Sequence, residues 1–229
     1  MAPGVSPLTF LPFLGGAFSI FFMTWFLFKK GSPPSTTKRY FITYLLFTGL
    51  YGMLETVAYL TPYPGAAKIV LIASRVDLLL AAYAAFSFAS SLSGDKESPK
   101  TAIIPTVFLA AIVSGYLITD IRPAPWGWKM VFFKPVLAIY VFGLVLFAVL
   151  VLFLLYEIYS EIKPAETPYA KRLRLIISSL ALTMAIGLTT NALFAFFEID
   201  IIPMLSILTP VPVSLLYLSF RETMRRNGV

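Results

Sequence analysis

The sequence predicts an all-α membrane protein, a bundle of seven transmembrane helices with its N-terminus outside and its C-terminus in the cytoplasm. Three observations lead there. Apolar residues make up 59% of the 229-residue chain and charged residues 13%, against about 45–50% and ~25% in soluble domains. The apolar residues fall in seven long runs, and a helix needs roughly 20 of them to cross lipid with its backbone satisfied internally. The basic residues gather between those runs, on alternate sides of the chain's path.

Seven helices are expected at about residues 8–28, 40–60, 66–92, 101–119, 136–156, 173–197 and 201–220. The first is closed by Lys29 and Lys30. It lacks the basic leader and short core of a signal peptide. The third contains Arg75 and Asp77, the fifth (VLAIYVFGLVLFAVLVLFLLY) is apolar all round, and the seventh carries Pro203, Pro210 and Pro212. Those prolines are expected to kink it as static packing features. The connections GSPPSTT, TPYPG, SGDKESP and KPAETP are short and rich in helix breakers. None is long enough for a folded domain, and little chain follows the last run. A β-barrel is disfavoured because its weakly alternating segments of about ten residues are absent.

Orientation follows from the distribution of Lys and Arg. Lys29, Lys30, Lys38, Arg39, Lys96, Lys100, Lys163, Lys171, Arg172, Arg174, Arg221, Arg225 and Arg226 fall on one side, which gives 13. Only four, Lys68, Arg122, Lys129 and Lys134, fall on the other. The richer side is cytoplasmic, so the termini lie N-out and C-in. The net charge of +7 therefore belongs to membrane topology, and no basic face is left for nucleic acid.

Composition also removes chemistry. The chain has no Cys and no His, which excludes disulfides, thiol nucleophiles and the commonest metal ligands. No metal, cofactor or enzymatic activity is expected. The last run has no lysine for a retinal Schiff base, and Asp77 is the only Asp inside a span, so an aspartyl dyad is missing. Gln is absent and Asn occurs only at Asn191 and Asn227. That depletion is a weak sign of a hot-living source.

Three ionisable residues lie inside predicted spans: Glu55, Arg75 and Asp77. A charge at the centre of a membrane helix costs about 2.5–3.5 kcal/mol on insertion scales, so such residues face the bundle interior and find partners. At 1.5 Å per residue, Glu55 lies roughly 8 Å below the outer end of its helix. Arg75 and Asp77 lie roughly 14 and 17 Å down theirs, and Asn191 roughly 9 Å. Tyr51, Glu55 and Tyr59 recur every four residues and share one helix face. Arg75 is expected to pair with Glu55, and Asp77 then needs a donor such as Asn191 or a tyrosine. The candidate ligand-binding residues are thus Glu55, Arg75, Asp77, Asn191, Tyr51 and Tyr59. The bland alternative is structural: an Arg–Glu pair that fixes helix register, and an Asn that holds helices together.

The outer loop IRPAPWGWKMVFFK places Trp126, Trp128 and Lys129 beside Arg122 and Lys134. Its default reading is an aromatic belt at the membrane interface, including a short helix lying flat. The sharper reading is a lid over an outward-facing pocket. The basic residues there suit anionic head groups or an anionic ligand.

With these residues in view, the chain resembles the seven-helix N-terminal membrane sensor region of bacterial and archaeal histidine kinases and diguanylate cyclases. The likeness rests on PWGW in the outer loop, on LLYEIYSEI at the end of the fifth helix, and on KRLRLIISSLALTMAIGLTTNALFAFFEIDIIP with the closing SFRE. The R-x-D of Arg75 and Asp77 is a less specific part of it. The resemblance implies a sensory or receptor-like protein of the cell membrane, passing signals across it. In that family the C-terminus continues into a kinase or cyclase, whereas this sequence ends at Val229. The expectation is a standalone receptor with an outward-facing polar site between helices 2, 3 and 6. Its expected partners are the lipid bilayer, a small-molecule ligand from the outer side, and a separate cytoplasmic or membrane signalling protein. The alternatives are a transporter or channel subunit using the same charges, and an accessory or scaffold subunit of a membrane complex.

Overall fold

The computed structural model describes residues 7–28, 36–92, 103–162, 168–198 and 208–215. A 3₁₀ turn, Pro7–Phe10, leads into α1 (Leu11–Phe28). Then follow α2 (Thr36–Leu60), α3 (Pro64–Leu92), α4 (Ile103–Leu117), strands β1 (Ile118–Ala124) and β2 (Gly127–Phe132), α5 (Lys134–Ile162) and α6 (Pro168–Gly187). The last of these continues through a π-helical stretch, Leu188–Leu193, into a final turn at Phe194–Phe196. Residues within 208–215 are also mostly helical. The remainder of the predicted seventh helix, Pro203, Asp200, the Asn191 side chain, and the basic residues at 29–30, 96, 100, 163, 221, 225 and 226 lie outside the described residues.

Proline sets several of the helix starts. Pro64 and Pro168 open α3 and α6, and Pro135 is the second residue of α5. A first-turn proline lacks only an N–H that would be unsatisfied anyway. Among the described residues, four helices are long and apolar enough to cross a membrane: Thr36–Leu60, Pro64–Leu92, Lys134–Ile162 and Ala170–Phe196. The helix α5 shows how it would sit there. Leu137, Tyr140, Ala148, Val151 and Leu155 are buried on one face, while Ile139, Phe142, Leu146, Val149 and Phe153 are exposed on the other. An exposed apolar stripe of that length suits lipid and would be a liability in water.

The core has two parts along the helix axes. One joins Phe22, Leu45, Phe88, Leu155, Leu173 and Val213 from α1, α2, α3, α5, α6 and the 208–215 segment. The other joins Tyr59, Leu71, Leu117, Trp128, Leu137 and Tyr140 at the hairpin end. On α2 and α3 the stretch between these parts holds Tyr51, Glu55 and Arg75.

Helices α1 and α2 approach at glycine. A Cβ added to Gly52 would stand 2.5 Å from the Pro12 carbonyl oxygen, and one on Gly16 would stand 2.5 Å from that of Gly49. Small residues of this kind let membrane helices pack backbone to backbone. Gly52→Val is therefore expected to lower the thermal midpoint of the purified protein, at a cost of about 1–3 kcal/mol. A variant that melts with the parent would refute the seam.

The structure corrects the purely helical expectation at the outer loop. The segment folds as an antiparallel hairpin, not as a flat helix. Ile118 faces Phe132, Ile121 faces Met130, Arg122 faces Lys129, and Ala124 faces Gly127 across the turn Pro125–Trp126, with an irregularity between Ile118 and Asp120. The hairpin is tied down at three points. Phe133 N–H donates to the Leu117 carbonyl at its base (2.9 Å). Lys68 Nζ donates to the Thr119 carbonyl (2.6 Å). Trp128 Nε1 donates to the Thr61 carbonyl in the turn between α2 and α3 (2.8 Å). Trp126 and Trp128 are buried, against the exposure a surface belt implies.

Candidate functional site

The four-residue spacing on α2 puts Tyr51, Glu55 and Tyr59 on the face that meets α3, and all three are buried. Arg75, also buried, comes from α3. Its Nη2 donates to Glu55 Oε1 at 2.7 Å, and its Nη1 donates to the Tyr51 hydroxyl at 2.9 Å. The same hydroxyl donates to Glu55 Oε1 at 2.7 Å. The expected Arg75–Glu55 pair is thus present, with Tyr51 as its third member. Glu55 is 0% exposed, so the guanidinium supplies the counter-charge that a carboxylate out of water requires. From α5, the Tyr140 hydroxyl donates to the Arg75 carbonyl at 3.3 Å.

Next to this triad lies a cavity of about 270 Å³. Tyr59 and Arg75 line it from α2 and α3. The hairpin contributes Arg122, Trp126, Trp128, Lys129, Met130, Val131 and Phe132. Thr190, Phe194, Ala195 and Glu198 contribute from the end of the α6 segment, and Lys134 from the start of α5. The hairpin therefore forms one wall and the triad's arginine another. Two lining residues carry buried polar atoms with no hydrogen-bond partner among the described residues: the Tyr59 hydroxyl and Arg75 Nε. At the rim, Lys134 Nζ and Glu198 Oε1 pair at 2.8 Å, both well exposed. That hydrogen bond and charge hold the Glu198 carboxyl below the usual carboxylate range.

Of the expected ligand residues, Tyr59 and Arg75 line the cavity, and so do Trp126, Trp128 and Lys129, the outer-loop residues expected as a lid or an interface belt. Tyr51 and Glu55 are joined to it through Arg75. Asp77 is not among its lining residues. Two positions from Arg75, it points elsewhere on α3. It is buried, and its Oδ2 has no hydrogen-bond partner among the described residues. Asn191 belongs to the π-helical stretch, beside the lining residue Thr190.

A second, smaller cavity of about 90 Å³ is bordered by Tyr44, Thr48 and Tyr51 of α2, by Leu78, Ala81 and Ala85 of α3, and by Phe147, Leu180, Met184 and Leu188. It is apolar, and nothing in the sequence reading anticipated it. The signal was present, since Tyr44 and Thr48 continue the polar stripe of Tyr51, Glu55 and Tyr59. The π-helical stretch borders both cavities, with Leu188 on the smaller and Thr190 on the larger. Such stretches recur at functional sites in helices.

Fold and site together define a mostly helical protein with, among the described residues, four helices of membrane-spanning length and a hairpin-walled cavity lined by both aromatic and charged side chains. No protein-family model matches the chain, and no curated protein matches it.

Proposed function

We propose that the chain is a receptor-like sensory protein of the cell membrane, crossing it seven times with its N-terminus outside. In this reading the cavity beneath the hairpin faces outward and takes a small molecule. The observation that carries it is the convergence of Tyr59, Arg75, the hairpin and the end of the α6 segment on one cavity of about 270 Å³. That size is near the lower end for small-molecule sites, and concavity with a few convergent polar groups is their usual form. The positive-inside count supports the orientation. The packing of Val213 in the core, and the Ser179 hydroxyl's donation to the Pro212 carbonyl (2.6 Å), support a seventh helix beside α6.

A receptor is favoured over a transporter by what lies past the triad. Arg75, Glu55 and Tyr51 are bonded to one another, and the smaller cavity bordered by Tyr51 is apolar. A polar solute would meet a closed barrier and then an oily chamber. A ligand signals only by binding two helix arrangements unequally. Here it would act on Arg75 from α3 and on the π-helical stretch of the α6 segment, and so change what a separate cytoplasmic or membrane partner meets.

The chain has no cysteine, so single introduced thiols report topology cleanly. Lys129→Cys is expected to react with a membrane-impermeant maleimide in intact cells. Lys171→Cys, exposed at the start of α6, is expected to react only after permeabilisation. The opposite pattern, or labelling of both from outside, would sink the outward-facing reading.

A further inference from the structure

We infer that the smaller cavity, of about 90 Å³, is a binding site for a small apolar molecule without hydrogen-bonding groups, of the size of a xenon atom or a short hydrocarbon. Such a molecule dissolves in lipid and reaches the bundle through it. The inference does not depend on the larger cavity or on the side of the membrane that cavity faces.

The space exists because side chains run short where four helices meet. The stretch LLLAAYAA of α3 contributes Ala81, Ala82 and Ala85 to the lining, α5 contributes Ala148, and α6 ends there in Gly187. Phe147, Leu180 and Met184 stand around these positions and leave the space open. Ala81, Ala85 and Ala148 are buried, which puts the floor of the cavity inside the bundle and not on its lipid face.

The chemistry of the guest follows from what the hydroxyls beside the cavity already do. Thr48 Oγ1 donates to the Tyr44 carbonyl at 2.8 Å, and Thr183 Oγ1 donates to the Ser179 carbonyl at 2.9 Å. The Tyr51 hydroxyl donates to Glu55 Oε1 at 2.7 Å. The surface left facing the space is almost wholly apolar. A buried water needs about two to four polar partners, and apolar cavities that lack them stay dry. A dry void leaves its lining short of dispersion contacts, and an apolar guest restores them. Size sets the upper limit. An engineered apolar cavity of about 150 Å³ takes benzene or xenon, so a space of about 90 Å³ takes a smaller guest. It lies far below the roughly 300 Å³ at which drug-sized ligands begin to fit.

The test uses the full chain in nanodiscs, labelled with carbon-13 at the methionine methyl groups and pressurised with xenon or cyclopropane. Met184 lines this cavity and Met130 lines the larger one, so one methyl group reports and the other is its control. Met184→Leu assigns the reporting resonance. That resonance is expected to move saturably with either gas, while the Met130 resonance drifts linearly or stays still. Ethanol, similar in size but able to hydrogen-bond, is expected to bind at least tenfold more weakly than cyclopropane. Ala81→Leu fills the space and is expected to weaken xenon at least tenfold with the thermal midpoint held or raised. Ala148→Val adds less bulk from α5 and is expected to weaken xenon too, so it decides the matter should Ala81→Leu fail to fold. The absence of a saturable change at Met184 overturns the inference, as does ethanol binding as well as cyclopropane. Xenon binding unchanged in a folded, filled variant also overturns it. So does a Met184 resonance that follows the acyl chains of the disc and ignores xenon, in favour of a lipid tail. The maleimide labelling described above is independent of these outcomes.

Discussion

Arg75→Ala is expected to destabilise the protein by about 3–5 kcal/mol, the cost of leaving one member of a buried ion pair behind. Glu55 has no exposure to solvent, and with Arg75 gone it loses the 2.7 Å partner that balances its charge. Tyr51 remains as a donor to Oε1, but a hydroxyl brings no counter-charge. The damage comes from the stranded carboxylate more than from the lost pair, so a control separates them. Arg75→Ala/Glu55→Ala removes both charges and is expected to melt above the single variant, because neutral replacement of a buried pair is far cheaper than breaking it. Thermal melts in one detergent check this. A single variant with the parent's midpoint would mean that the pair contributes nothing, and a double variant below the single one would refute the stranded-charge account.

The hairpin's attachment gives the second large effect. Gly127 has φ of +133°, a region that side-chain-bearing residues rarely enter. A Cβ there would meet Tyr59 Cβ at 2.6 Å, its Cα at 2.8 Å and its carbonyl oxygen at 2.9 Å. Two of those atoms belong to the backbone of α2 and cannot turn aside. Gly127→Ala therefore combines strain of about 1–3 kcal/mol with displacement of the hairpin tip from α2. Trp126 and Trp128 should become wetter, and their emission should move to the red. Gly143→Ala is the control. A Cβ on Gly143 meets nothing within 4 Å, so that change should be neutral or stabilise α5 by up to about 1 kcal/mol. Unaltered emission in Gly127→Ala would mean that the hairpin is not held by this contact.

Much of the architecture is legible in the residues. The long apolar runs locate the helices because lipid-length hydrophobicity has few other uses. Depth along α2 and α3 is enough to bring Glu55 and Arg75 together, and they do pair. Depth says nothing about azimuth, which is why Asp77 joins the candidate residues on position alone and then lies away from the cavity. The hairpin is missed for a different reason. Trp126, Trp128 and Met130 recur every second residue, which is the strand period, and all three are buried. That signal is short, and tryptophan at a membrane boundary has a competing explanation in interfacial anchoring. The smaller cavity is a packing shortfall between helices, a property of facing surfaces that no single run displays.

The π-helical stretch at Leu188–Leu193 has a consequence for how the chain tolerates changes in length. Removing a residue from an ordinary α-helix turns everything beyond it by about 100°, so a deletion between Leu173 and Leu180 would swing the rest of the segment out of register. A wide turn already accommodates a surplus residue. Excising one position there would tighten it to the common pitch and leave the sequences on either side aimed as before. That part of the helix has the form of an absorbed insertion, and it is a place where the bundle can lose a residue without rethreading.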